Sequence, residues 1–225
     1  MKICLFDIDG TLIRTGGAGK AAFEAALADA FGIAAEGSRV PFSGRTDRAI
    51  VRDFFCLHGI DDSPATWERF RTAYLQHLPA TLASRPGAVL PGILALLETF
   101  APRPDIRTGL LTGNIAAGAE VKLNHYRLNH FFAFGGFGDR HVDRAEVARE
   151  ALAAARDQTV AEVRSENVWV IGDTPLDIRC ARAIGAHVVA VCTGTHARGA
   201  LASEEPDVLV DDLGDPSPVL DAIAG

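Results

Sequence analysis

Apolar residues in this chain fall into two kinds of pattern. Ile3 to Phe6 is apolar without alternation, as expected for a short strand buried on both faces of a parallel sheet. From Arg85-Pro86-Gly87 onward, similar short runs alternate with amphipathic stretches. Strands are predicted at Ile106 to Leu111, ending in Thr112-Gly113-Asn114, and at the apolar runs Phe131 to Phe134, Val168 to Ile171, Val188 to Val191 and Val208 to Val210. Between them the spacing predicts helices at Ile93 to Phe100, Ile115 to about Leu128, about Arg144 to Arg156, and Pro175 to Ile184. Strands alternating with helices imply right-handed crossovers and an α/β fold built on a doubly wound parallel sheet.

Residues 15–84 follow a different period. Arg14-Thr15-Gly16-Gly17-Ala18-Gly19 is a flexible link, better suited to a hinge than to a phosphate cradle, since no strand with P-loop spacing precedes it. An alanine-rich amphipathic helix is expected from about Lys20 to Phe31, with Gly32 placed to end it. Ser43-Gly44-Arg45-Thr46-Asp47 reads as a turn; Thr46 or Ser43 can cap a helix to His58, closed by Gly59. Ser63-Pro64 caps a third helix to about Ala83, bent near Pro79. The chain therefore divides into an α/β core, 1–14 and 85–225, and an inserted all-helical cap, 15–84.

Composition narrows the class. The chain has 225 residues, 48% hydrophobic and 23% charged, enough for one large core or two modest domains. A net charge of -7 argues against nucleic acid or an anionic membrane as the main partner. No apolar run approaches the roughly 20 residues of a membrane span, and Ile3 to Phe6 is too short for a secretory core. Cys4, Cys56, Cys180 and Cys192 are scattered without a C-x-x-C pair, and read as buried free thiols in a reducing cytoplasm rather than as a zinc site.

Candidate chemistry collects at three strand ends. Asp7 and Asp9, two apart, converge on one side at the carboxyl end of the first strand. That is where open α/β sheets bind ligands. Thr112, followed by Gly113-Asn114, offers a hydroxyl and N–H groups at a helix start, a ready anion site. Asp173 ends a third strand, and Asp177 lies one helical turn later on the same face. Three or four carboxylates around one crevice suit a hard, oxygen-loving divalent cation, of which Mg²⁺ is the natural occupant.

Phe6-Asp7-Ile8-Asp9-Gly10-Thr11 resembles the first motif of the haloacid dehalogenase-like superfamily in its phosphatase form. Leu110-Leu111-Thr112-Gly113-Asn114 resembles the second motif, and Gly172-Asp173-Thr174-Pro175-Leu176-Asp177 the fourth, in matching order over nearly the whole chain. The insertion stands where that family carries its helical (C1-type) cap, and Ser43 to Asp47 resembles the substrate-facing turn of phosphoglycolate-phosphatase-like members. The resemblance implies Asp7 as nucleophile and Asp9 as general acid/base. Thr112 would bind the phosphoryl group with the Gly113 or Asn114 N–H, and Asp7, Asp9 (through its carbonyl), Asp173 and Asp177 would hold or support Mg²⁺. Asp7, with an ordinary carboxylate pKa of about 3.9, would be ionised at neutral pH without a base.

One motif departs. The family's Lys-Pro segment is missing: the only lysines are Lys2, Lys20 and Lys122. Arg144, at a helix start in the corresponding segment, is the candidate replacement. Arg140 is a second candidate. Lys122 is a third, on a helix face expected to be exposed. Arg45 in the cap turn is expected to touch the leaving group. The implied function is a Mg²⁺-dependent phosphatase of a small phosphorylated metabolite, such as phosphoglycolate or a sugar phosphate. A phosphomutase of the β-phosphoglucomutase kind is one alternative, which a coupled isomerisation assay separates; a non-catalytic metal- or phosphate-binding module is the other. No nucleic-acid or membrane partner is expected, and monomer and homodimer both remain open.

Overall fold

A computed structural model of the chain describes residues 1–35, 39–158 and 163–224. The first strand, β1 (Lys2–Phe6), alternates its side chains between two apolar layers: Cys4 and Phe6 enter one, Ile3 and Leu5 the other. Being buried on both faces, it reads as a continuous apolar run. A two-residue strand, β2 (Ile13–Arg14), then leads into three helices: α1 (Ala18–Phe31), α2 (Asp47–His58) and α3 (Pro64–Ser84). The chain returns through β3 (Ala88–Val89), antiparallel to β2, so both crossings between helices and sheet lie in one small ribbon.

The remainder alternates as expected: α4 (Ile93–Phe100), β4 (Ile106–Leu111), α5 (Ala116–His125), β5 (Gly135–Gly136), α6 (Arg144–Asp157), β6 (Val168–Gly172), α7 (Pro175–Ala183), β7 (His187–Val191), α8 (Arg198–Ala202), β8 (Val208–Val210) and α9 (Ser217–Ala224). The main sheet runs β5-β4-β1-β6-β7-β8, every pair parallel. From β1 the chain reaches β4 on one side and β6 on the other. The carboxyl end of β1 is therefore the topological switch point, where such sheets open a crevice.

Local chemistry explains the helix ends. Thr46 accepts from the Ala49 N–H to cap α2, and Gly59 closes it in the left-handed region. Ser63 and Thr66 form a reciprocal capping box on α3, with Pro64 at its first position. The three helices share an apolar cluster of their own. Phe23, Phe54, Phe55 and Phe70 are essentially fully buried in it, each worth about 1.5–3 kcal/mol of burial.

Three expectations need correction. Phe131 to Phe134 is not a strand: the chain makes a single tight turn at Asn129–Phe131, and Gly135–Gly136 pairs with β4 instead. Glycine is required there because a Cβ on Gly136 would strike the backbone of α6 at Val147 and Ala151. Phe131 and Phe132 pack onto the core from outside the sheet. The helix expected to reach Leu128 stops at His125, because Arg127 turns left-handed and the Leu128 N–H folds back to the Leu123 carbonyl. Of the four cysteines, only Cys4 and Cys180 are buried; Cys56 is exposed and Cys192 half-buried.

Candidate active site

A cavity of about 630 Å³ lies between the three helices and the carboxyl edge of the sheet. Asp7, Asp9, Asn114, Lys122, Arg144 and Asp173 line its sheet side, and Phe23, Phe42, Ile50 and Tyr74 line its helical side. The chain enters the helices along its wall, through Arg14 to Gly17.

Asp7, Asp173 and Asp177 place carboxylate oxygens within 4.8 Å of one another. Burial pushes Asp7 up to about 6; Arg144 pulls the other way, and Asp177 and Asp9 add to the rise. Burial, with Asp177 and Asp7, also holds Asp173 well above the usual carboxylate range. Asp7 is thus raised above the ordinary carboxylate value, because it is almost fully buried at the cavity floor beside two other carboxylates. At about 6 it remains mostly ionised at neutral pH. Thr11, which sequence reasoning took only as part of a turn, donates its hydroxyl to Asp173 Oδ1 at 3.1 Å.

Arg144 is 6% exposed and answers this negative charge. Its Nη2 lies 2.9 Å from Asp7 Oδ1 and also bonds Asp177 Oδ1, while Nη1 donates to the Gly44 carbonyl at 3.0 Å. The other oxygen of Asp177 accepts from the Thr174 N–H and hydroxyl. Both carboxylate oxygens of Asp177 are thereby engaged in holding Arg144 and starting α7. Arg140, the second candidate, is exposed and not among the cavity-lining residues.

Lys122 corrects a second expectation. Its side chain is 4% exposed, not on a solvated face. Its ammonium lies 2.5 Å from Asp9 Oδ2 and 2.5 Å from Asn114 Oδ1. Burial alone would lower its pKa, but Asp9, Tyr74 and Asp47 raise it, so it stays charged. Helical periodicity could not reveal this, because the covering surface comes from residues 15–84, far away in sequence. Thr112 is fully buried, its hydroxyl accepting the Asn114 side-chain amide at 2.8 Å.

The turn before α2 closes on the loops at the carboxyl edge of the sheet through both backbone and side chains. The Asp47 N–H donates to the Gly113 carbonyl at 2.7 Å, and the Thr46 hydroxyl to the Val142 carbonyl at 3.3 Å. Asp47 Oδ2 accepts the Ile115 N–H at the start of α5, at 2.9 Å. Burial raises Asp47 to about 6. Gly113 is glycine because a Cβ there would collide with the Arg45 carbonyl. Arg45 itself lines the cavity, but its guanidinium pairs with Asp53 at 2.8 Å and with the Pro41 carbonyl.

Sequence reasoning missed Thr193-Gly194-Thr195, which also line the cavity after β7. A Cβ on Gly194 or Gly10 would strike the Asp173 carboxylate, so these glycines let two loops enclose it. The signal was present: small polar residues follow a buried strand after a single Cys192, much as Thr112 follows β4.

The sequence pattern of the haloacid dehalogenase-like hydrolases matches residues 1–185. The phosphoglycolate phosphatase of Rhodospirillum rubrum is 28% identical over 218 residues, covering 94% of this chain and 88% of that protein. That of Pseudomonas savastanoi pv. phaseolicola is 26% identical over 219 residues, covering 94% and 77%. Among solved structures, CbbY from Rhodobacter sphaeroides in complex with phosphate superposes with a TM-score of 0.74 at 21% identity, covering 96% of each chain. A hydrolase from Pseudomonas syringae gives 0.73 at 23% identity, covering 100% of each. At these identities the structures bear on the fold alone.

Proposed function

This chain belongs to the haloacid dehalogenase-like hydrolases and is a phosphoric monoester hydrolase; from that premise we propose that it hydrolyses a small phosphorylated metabolite through a phosphoryl group carried on Asp7. The observation that carries this reading is the cavity floor, where β1 and β6 bring Asp7, Asp9 and Asp173 together beside two buried cations, with Thr112 buried at the end of β4 and bonded to Asn114. The phosphoglycolate phosphatases among the relatives make phosphoglycolate the first substrate to try, with sugar phosphates next.

A carboxylate oxygen of Asp7 attacks phosphorus in line, the bond to the ester oxygen breaks, and that oxygen leaves with its electron pair. Asp9 gives it a proton. Water then attacks the phosphorus, Asp9 takes its proton back, and the Asp7–phosphorus bond breaks to release inorganic phosphate. In this reading Arg144 and the Gly113 N–H neutralise the phosphoryl oxygens, while the Asn114 N–H is held by the Thr112 hydroxyl.

The donor set suits Mg²⁺: an all-oxygen cluster of buried carboxylates carries more negative charge than Arg144 alone offsets. Asp7, Asp173 and the Asp9 carbonyl would hold the ion, with Asp177 supporting through Arg144. When bound it would screen the anionic nucleophile from the anionic phosphate. Phosphate release from a panel of phosphorylated metabolites, with Mg²⁺ and after chelation, tests the reading. Release from at least one ester, lost on chelation and restored by Mg²⁺, is expected; no release from any would overturn it.

Residues 15–84 act in this reading as a cap that excludes water from the phosphoryl group. Gly113→Ala puts a methyl group against the Arg45 carbonyl and lifts the 43–47 turn off the site. Because small misplacements at a reacting centre are costly, about a tenfold loss in kcat/KM is expected, with Tm falling only a few degrees. Unchanged kcat/KM would show that this turn need not close.

A further inference from the structure

Asp9 is held very unevenly. Its Oδ2 accepts two donors, Lys122 Nζ at 2.5 Å and Asn114 Nδ2 at 2.9 Å. Among the described residues no donor reaches Oδ1. The two donors are themselves joined, since Lys122 also bonds Asn114 Oδ1 at 2.5 Å, and the Asn114 amide also reaches Thr112. The result is a closed ring of three side chains from the ends of β1 and β4 and the second turn of α5. Lys122 cannot drift from it: a Cβ on Gly19 of α1 would already lie 3.1 Å from its ammonium, and Tyr74 of α3 lines the same cavity beside it.

We infer that Lys122, with Asn114, is the positioning element for the acid/base carboxylate: it clamps Asp9 Oδ2 so that Oδ1 alone is left free to carry the proton. The inference rests on the reading of Asp9 as acid/base, but it assigns Lys122 differently from a phosphate-binding cation. Two jobs are divided here between two cations. Arg144 serves the nucleophile, and Lys122 serves the proton donor. A carboxylate with both oxygens free could turn either one away from the leaving oxygen; the clamp removes that freedom, and orientation is a large part of what general acid–base catalysis requires.

The test separates proton transfer from phosphate binding by choice of leaving group. An alkyl phosphate needs a proton on its departing oxygen, whereas nitrophenolate departs without one. Lys122→Met is expected to lower kcat on an alkyl phosphate by about tenfold to a hundredfold. With nitrophenyl phosphate the first turnover should release nitrophenol at close to the wild-type rate, as a burst, followed by slow release as the Asp7 phosphoryl group awaits its water. Adding Lys122→Met to Asp9→Asn should change neither rate further, because the lysine acts only through that carboxylate.

A burst that slows as much as the alkyl reaction, or a double variant worse than Asp9→Asn by the full single-variant factor, would overturn the inference and make Lys122 a phosphate ligand. If Asp9→Asn itself leaves alkyl ester hydrolysis unchanged, the acid/base reading fails instead. Should Lys122→Met melt below the assay temperature, Asn114→Ala removes the other clamp on the same oxygen. It must show the same burst against alkyl loss, and its absence likewise overturns the inference.

Discussion

Asp7→Asn is expected to lower turnover below about 1% of wild type while leaving the fold in place. Asparagine has nearly the same shape but no carboxylate to attack phosphorus, and removing a nucleophile from a catalytic set commonly costs many orders of magnitude. Stability should hold, because burying an ionised Asp7 is itself unfavourable: its burial is what raises it to about 6. Arg144 keeps Asp177 as a partner in the variant. Thermal melting with and without Mg²⁺, beside phosphate release, provides the check. Activity above that level in a folded variant would exclude a phosphoryl group carried on Asp7.

The α/β core was legible because its signals are local. β1, β6 and β8 carry continuous apolar runs followed by Asp or Gly-Asp, β7 carries one followed by Cys192-Thr193, and β4 ends in Leu110-Leu111 before Thr112; parallel strands covered on both faces leave that trace. α1, α2 and α3 announced themselves through Gly32, Thr46, Gly59 and Ser63-Pro64. What failed to read out depends on contacts distant in sequence. β5 is two glycines chosen by the backbone of α6, while the aromatic run before it imitates a strand. β2 and β3 are two residues each and pair across the whole helical insertion.

The same distinction divides the site. Asp7, Asp9, Thr112 and Asp173 stand at strand ends, where spacing alone marks them. The burial of Lys122 comes from α1 and α3 folding over α5, and nothing in its own helix reports it. Arg45 stands in the cavity wall with a partner that the turn alone does not show. A cation in a Gly-led turn near the cavity looked free to meet a substrate, yet Asp53, two helical turns further on, takes its guanidinium. Its backbone, not its charge, is what presses against Gly113.

Arg144→Ala should cost roughly 10²- to 10³-fold in kcat, the scale of losing one preorganised charge from a site closed to water. The guanidinium is the only basic group touching both Asp7 and Asp177 among the described residues, and it also reaches the Gly44 carbonyl of the cap turn. Its loss acts three ways. Phosphoryl charge goes unanswered, the 43–47 turn loses a tether, and Asp7 rises further because the group that pulled it down is gone. The sign of the last effect is definite: with Asp7 needed ionised, the acid limb of kcat/KM moves to higher pH. Arg144→Lys keeps the charge but not the planar fork that sends Nη1 to Gly44 and Nη2 to the two carboxylates, so it should recover at least tenfold over alanine without reaching wild type. Removing one partner of a buried ion pair also costs about 3–5 kcal/mol, so kcat is to be read below the melting temperature of each variant. Wild-type kcat in Arg144→Ala, with the acid limb unmoved, would show that the phosphoryl group is met by another cation of the cavity wall, where Arg14, Lys20, Arg45 and Lys122 also stand.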